Sequence, residues 1–95
     1  MFKISTVDTR SKRTLVVEGT LIGPWVDELR TTCVGASQTL GKRELVIDLT
    51  NLTFISREGE DVIFDLMKKG TKFSRGGILA RYILKQLARK CPVRQ

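Results

Sequence analysis

Residues 44–59 (ELVIDLTNLTFISREG) constrain the fold more than any other part of the chain. The run from Leu45 to Leu49 is apolar except for Asp48, the pattern of a strand covered on both faces. A short polar turn at Thr50 and Asn51 follows, the chain returns to Phe54 and Ile55, and Ser56 then precedes Glu58, Glu60 and Asp61. The first turn of a helix leaves backbone N–H groups unpaired at the positive end of its dipole. Serine at the N-cap with acids behind it therefore marks a helix start.

The flanking residues supply the other elements. Residues 1–9 alternate Phe2 and Ile4 with Lys3 and Ser5, as an edge strand does, and the polar turn Asp8, Thr9, Arg10, Ser11 leads to a second strand at 13–18. The two form an antiparallel hairpin closed by Gly19. Gly23 and Pro24 break the chain, with Pro24 suited to a helix's first turn. Val26, Leu29, Cys33, Ala36 and Leu40 then recur at spacings that place them on one stripe of a helix ending near Gly41. Asp27, Glu28, Arg30, Thr31 and Gln38 take its other face. Trp25, just off the stripe, reads as a lid on the core in preference to an exposed anchor.

A strand reached from an earlier strand through a helix is its parallel neighbour by a right-handed crossover, so the strand at 45–49 should be central. Asp48 then falls toward its carboxyl end, where open α/β sheets bind ligands, or caps a turn with Thr50 and Asn51. A second helix runs over 57–69 with Val62, Ile63, Leu66 and Met67 at helical spacing and Gly70 at its left-handed end. Gly59 in its first turn costs about 1 kcal/mol against alanine, which calls for close packing on the sheet or room for a partner. Residues 71–74 form a short strand, Gly76 and Gly77 a break, and 78–90 a third helix. Its apolar face is Leu79, Ile83 and Leu87 with Tyr82 and Ile78 beside them, and Pro92 stops it. The expected class is α/β: one domain, residues 1–95, with a single four-stranded mixed sheet in the order β-β-α-β-α-β-α and helices packed on it.

Several kinds of chemistry fall away. The chain has no histidine, which removes the most usual general base and every Ser-His or Cys-His nucleophile, and the two cysteines, Cys33 and Cys91, lack metal-ligand spacing. No catalytic residues, metal or cofactor are implied. No apolar run approaches the length of a membrane span, and the chain reads as soluble and cytoplasmic. Net charge is +7, from 17 Lys and Arg against 10 Asp and Glu, with nine of the cations in residues 68–94. Only Phe73 and Tyr82 interleave with that group, so it reads as a solvated basic face before a nucleic-acid groove.

The hairpin closed by a glycine, the strand Leu45, Val46, Ile47, Asp48, Leu49, Thr50, and the passage Leu52, Thr53, Phe54, Ile55 into Gly59 resemble the STAS domain of sulphate transporters and anti-sigma-factor antagonists. The resemblance spans residues 2–90. It implies a non-enzymatic module whose strand-to-helix loop docks on a partner, often a serine kinase that doubles as an anti-sigma factor. In phosphorylated members that loop reads Asp-Ser-Ser-Gly or Asp-Ser-Thr-Gly, and the hydroxyl before the glycine is the switch. Here Ser56 stands at the aspartate, Arg57 at the first serine, Glu58 at the switch and Gly59 at the glycine. Glu58 has no hydroxyl to modify.

Two readings of Glu58 stand side by side. It imitates a phosphorylated residue, with one charge where phosphoserine brings about −1.5 to −2, or it is an acid in a helix's first turn, contributing about 0.3–1 kcal/mol against the dipole. The second is the plainer and is preferred. Ser56 is an alternative phosphate acceptor two residues early, although an N-cap serine is ordinary. The leading expectation is a partner-binding loop at Ser56, Arg57, Glu58 and Gly59, within residues 53–60, for an anti-sigma factor or serine-kinase-like regulator in bacterial signalling. The competing ones are a basic surface at 68–94 for nucleic acid or an anionic membrane, and a homo-oligomer built through exposed Trp25 and Phe64.

Overall fold

A computed structural model describes residues 1–74 and 76–90. Seven elements follow the expected order: β1 (Phe2–Asp8), β2 (Lys12–Leu21), α1 (Pro24–Gln38), β3 (Glu44–Ile55), α2 (Arg57–Lys68), β4 (Lys72–Ser74) and α3 (Ile78–Lys90). They form one mixed sheet of strand order β1-β2-β3-β4, in which β1 and β2 are antiparallel and β2–β3 and β3–β4 are parallel. β3 is internal, as a strand reached from β2 through a helical crossover is expected to be. Cys91, Pro92 and Arg94, which the sequence reading used, lie outside the described residues.

Strand order and handedness together decide where the helices go. Two successive right-handed crossovers progressing in one direction across a sheet put α1 and α2 on the same face. α1 packs on α2 and α2 on α3, so all three share that layer. The expectation that β3 is covered on both faces is therefore corrected. Leu15, Val17 and Leu21 of β2 and Ile47, Leu49, Leu52 and Ile55 of β3 are buried against the helices, whereas Thr14, Val16, Val46 and Asp48 lie on the open face and are half-buried. Val46 made the run look continuous. It is shielded by neighbouring strands, since it pairs with Thr14 on one side and Lys72 on the other.

Two strands are longer than their sequences suggest. β3 does not turn at Thr50 and Asn51 but continues to Ile55, absorbing the polar residues in register shifts against β2 between Val16 and Glu18 and between Gly19 and Thr20. Each shift adds one residue to β3, which is how Leu49, Leu52 and Ile55 all reach the core at intervals of three. Asp48 sits mid-strand, not at the carboxyl end, and takes the Thr50 N–H at 2.9 Å and the Thr50 hydroxyl at 2.6 Å, a local capping role. Likewise Gly19 does not close the hairpin. At φ +92° it lies within β2, and a Cβ there would collide with the Met1 carbonyl, which accepts the Thr20 N–H at 2.8 Å.

Helix α1 buries Val26, Leu29, Cys33 and Ala36 as expected, but it ends at Gln38, so Leu40 is half-buried in the turn beyond and not on the helical stripe. Its last turn contains no basic residue, and its terminal carbonyls are capped from elsewhere. Arg13 of β2 donates to the Ala36 carbonyl at 3.0 Å and to the Thr39 hydroxyl at 2.6 Å. Arg43 donates to the carbonyls of Leu40 and Thr39, each at 3.0 Å. Asp8 joins them, with Oδ1 2.7 Å from Arg13 Nε and Oδ2 3.2 Å from an Arg43 guanidinium nitrogen.

At the other end of the layer, α3 buries Ala80, Ile83, Leu84 and Leu87, with Leu79 half-buried. Ile78 and Tyr82, expected beside the apolar face, point to solvent instead. Trp25 is 39 % exposed and stacks on Phe2 with ring centroids 5.5 Å apart, so it covers the margin of the core while keeping one face open. Phe64 is not an exposed anchor; it is half-buried against the core with Lys68 Nζ 5.0 Å from its ring centroid.

The Arg13 hydrogen bond first, and then the charges of Arg13 and Arg43, hold the Asp8 carboxyl below its ordinary value, against desolvation acting the other way. A depressed folded-state value stabilises the protein above the unfolded carboxyl pKa of about 3.9 and loses that contribution as pH falls through the folded value. Asp8→Asn should therefore lower the urea midpoint at pH 7, and the gap from the wild-type chain should shrink progressively below about pH 4. A gap independent of pH would show that Asp8 acts through packing alone.

Candidate functional site

The connection from β3 to α2, expected as a loop over residues 53–59, is a single residue, Ser56. Ser56 is extended (φ −85°, ψ 173°) and its Oγ accepts the Gly59 N–H at 3.2 Å, the N-cap bond that the sequence predicts. Its backbone N–H and its hydroxyl both donate to the Leu21 carbonyl, at 3.0 and 3.4 Å. One residue thus ends β3, starts α2 and ties both to the end of β2.

Gly59 has its reason in the same contact. A Cβ there would lie 2.7 Å from Ile55 Cγ1 and 2.9 Å from the Leu21 carbonyl oxygen, so α2 approaches the sheet more closely than any side chain permits. Of the two readings left open by the sequence, close packing on the sheet is the one that the geometry supports.

The four candidate residues accordingly divide. Ser56 is half-buried and Gly59 is buried, while Arg57 and Glu58 are exposed. Phe54, 54 % exposed, stands two residues before Ser56, and Asp61 is exposed one turn after Arg57. No sequence signal marks Phe54: without knowledge of the register shift opposite Gly19 and Thr20, its parity along β3 cannot be assigned. The exposed surface of the junction is therefore an aromatic ring, a cation and carboxylates on a backbone fixed by Ser56.

Other candidate places for chemistry offer less. Cys33 is buried under α1, and that burial pushes its thiol up to about 11 although Lys69 acts in the opposite sense, so at neutral pH it is a protonated, inert group. It borders a groove of about 620 Å³ between α1, the end of α2 and the start of β3, at the opposite pole from Ser56. Among the described residues no three His, Cys, Asp or Glu side chains converge as a metal site, and no helix is long and apolar enough to cross a membrane.

Comparison with solved structures places this arrangement. The chain is similar to the anti-sigma factor antagonist SpoIIAA in its unphosphorylated form, with a TM-score of 0.63 at 16% identity over 90% of this chain and 82% of that one. It is also similar to an uncharacterized protein of the DUF3478 family with a SpoIIAA-like fold from Shewanella loihica PV-4, with a TM-score of 0.56 at 17% identity over 96% of this chain and 80% of that one. No family model matches the sequence, and no curated protein matches it. The chain has the STAS fold, as the residues around β3 suggested, and at these identities the likeness is one of fold.

Two substitutions test the junction. Ser56→Ala should cost about 1 kcal/mol in urea denaturation through loss of the cap. Gly59→Ala gains about 1 kcal/mol of helix propensity, but the contact with the Leu21 carbonyl cannot relax by side-chain rotation, and overpacking of this kind costs about 1–3 kcal/mol. A net destabilisation is expected; a stabilised Gly59→Ala protein would show that α2 can lift off the sheet without penalty.

Proposed function

We propose that the chain is a single-domain, non-catalytic protein-docking module of cytoplasmic bacterial signalling, acting in the manner of an anti-sigma-factor antagonist. Its partner is an anti-sigma factor or a serine-kinase-like regulator. The observation that carries this reading is the junction at Ser56. Arg57, Glu58 and the preceding Phe54 are exposed on a turn with almost no conformational freedom, and a preorganised surface of mixed polarity loses little entropy on binding. The likeness to SpoIIAA supports the choice of partner class.

Regulation by phosphorylation at the usual position does not belong to this reading. Glu58 has no hydroxyl, and its place in the first turn of α2 suits a carboxylate whether or not a partner reads it as a phosphate. Ser56, the alternative acceptor, has its hydroxyl committed to the Gly59 N–H and the Leu21 carbonyl, so transfer of a phosphoryl group there requires the cap to open first.

Arg57→Glu combined with Glu58→Lys reverses the junction's charges without touching the cap. Binding to the co-purifying anti-sigma or kinase-like protein, followed by surface plasmon resonance, should weaken at least about ten-fold, equivalent to about 1.4 kcal/mol. Retention of full affinity would remove this surface from the reading. Intact mass after incubation with that kinase and ATP should be unchanged.

A further inference from the structure

Helix α3 carries a second surface, which the Ser56 junction does not use. Because Ala80, Ile83, Leu84 and Leu87 face the core, helical periodicity puts Ile78, Tyr82, Lys85 and Arg89 on the ridge directly opposite. Ile78 is 89 % and Tyr82 63 % exposed. The ridge begins apolar and ends basic, and Arg81 flanks it.

Within the fold these charges do little beyond Arg89 suiting the helix dipole from the last turn. None of the 13 residues of α3 is acidic, and among the described residues Arg81, Lys85 and Arg89 enter no ion pair. They stand four residues apart, so each adjacent pair is a like-charge neighbour that weakens the helix. An anionic ligand spanning the three would relieve that repulsion.

The surroundings select the kind of ligand. Neighbouring α2 exposes Glu58, Asp61 and Asp65, and Glu60 shares a groove with Tyr82 and Lys90 between the two helices. A broad anionic surface such as a bilayer or a nucleic-acid duplex covering Tyr82 would also meet Glu60. An amphipathic helix can instead set its carboxylates on Arg81, Lys85 and Arg89, on the side of α3 away from Glu60. Ile78 and Tyr82 call in addition for an apolar contact that a phosphate backbone does not offer.

We propose that the outer ridge of α3 docks an acidic amphipathic helix of a partner protein. Its carboxylates recur at i, i+4 and i+8 to match the rise of about 6 Å between successive cations. An apolar residue of the same helix covers Ile78 and Tyr82.

The test is fluorescence anisotropy on the full chain with a labelled helical peptide carrying glutamates at i, i+4 and i+8 and leucines beside them. A peptide of the same composition with its glutamates consecutive serves as control. The ordered peptide should bind at least about ten-fold tighter than the control, and Arg81→Glu with Lys85→Glu should abolish that preference. Tyr82→Ala should weaken binding several-fold at high salt as well, where screening removes much of the charge contribution, and Arg57→Glu should leave it unchanged. If circular dichroism shows the double variant unfolded, Lys85→Glu alone gives the same reading with a smaller change. Equal affinity for the two peptides, no binding at low salt, or tighter binding to phosphatidylserine vesicles or duplex DNA would overturn the proposal.

Discussion

Parallel strands cannot be joined by a tight turn, so the pairing of β2 along the whole of β3, from Lys12 opposite Glu44 to Leu21 opposite Ile55, forces a crossover through α1. Repeating the crossover through α2 to β4 in the same direction puts both helices on one face and leaves the other to solvent. The core is then the single layer between sheet and helices, filled by alternate residues of β2 and by the bulged sequence Ile47, Leu49, Leu52, Ile55 of β3. Because β3 outruns β4 by seven residues, α3 takes the place beside its upper half, where Gly76 and Gly77 lie against Thr50.

That ladder also ends at the site. Leu21, the last residue of β2, offers one carbonyl to the Ser56 N–H, to the Ser56 hydroxyl and to the close approach of Gly59. Strand end, helix start and sheet are joined through that oxygen. The result is a strand-to-helix connection with no slack, so the backbone that carries Arg57 and Glu58 is fixed by the fold.

The distribution of charge carries a second message. Composition suggests a uniformly basic protein, yet two of its cations, Arg13 and Arg43, spend their donors on Asp8 and on the carbonyls that end α1. They substitute for the basic residues that the last turn of α1 lacks. Arg81, Lys85 and Arg89 of α3, which enter no ion pair among the described residues, are a different population on the solvent ridge of that helix.

The sequence by itself determined the order and kind of all seven elements, the central place of β3, the capping role of Ser56 and the STAS fold. These depend on short-range signals: the period of apolar residues, a hydroxyl and acids at a helix start, and glycine where Gly70 takes φ +86° at the end of α2. The candidate site was described from the sequence as a loop. Tertiary structure alone decided that the place is a one-residue junction, that Phe54 faces outward while Gly59 is buried, and that Ile78 and Tyr82 are exposed. It alone decided that β3 is covered on one face, that Leu40 lies beyond α1, and that Arg13 and Arg43 are structural. Each of these depends on pairing register or on a neighbour distant in sequence. A one-residue bulge reverses which face a strand residue occupies, and a carbonyl cap can be supplied from 23 residues away, as Arg13 does for Ala36.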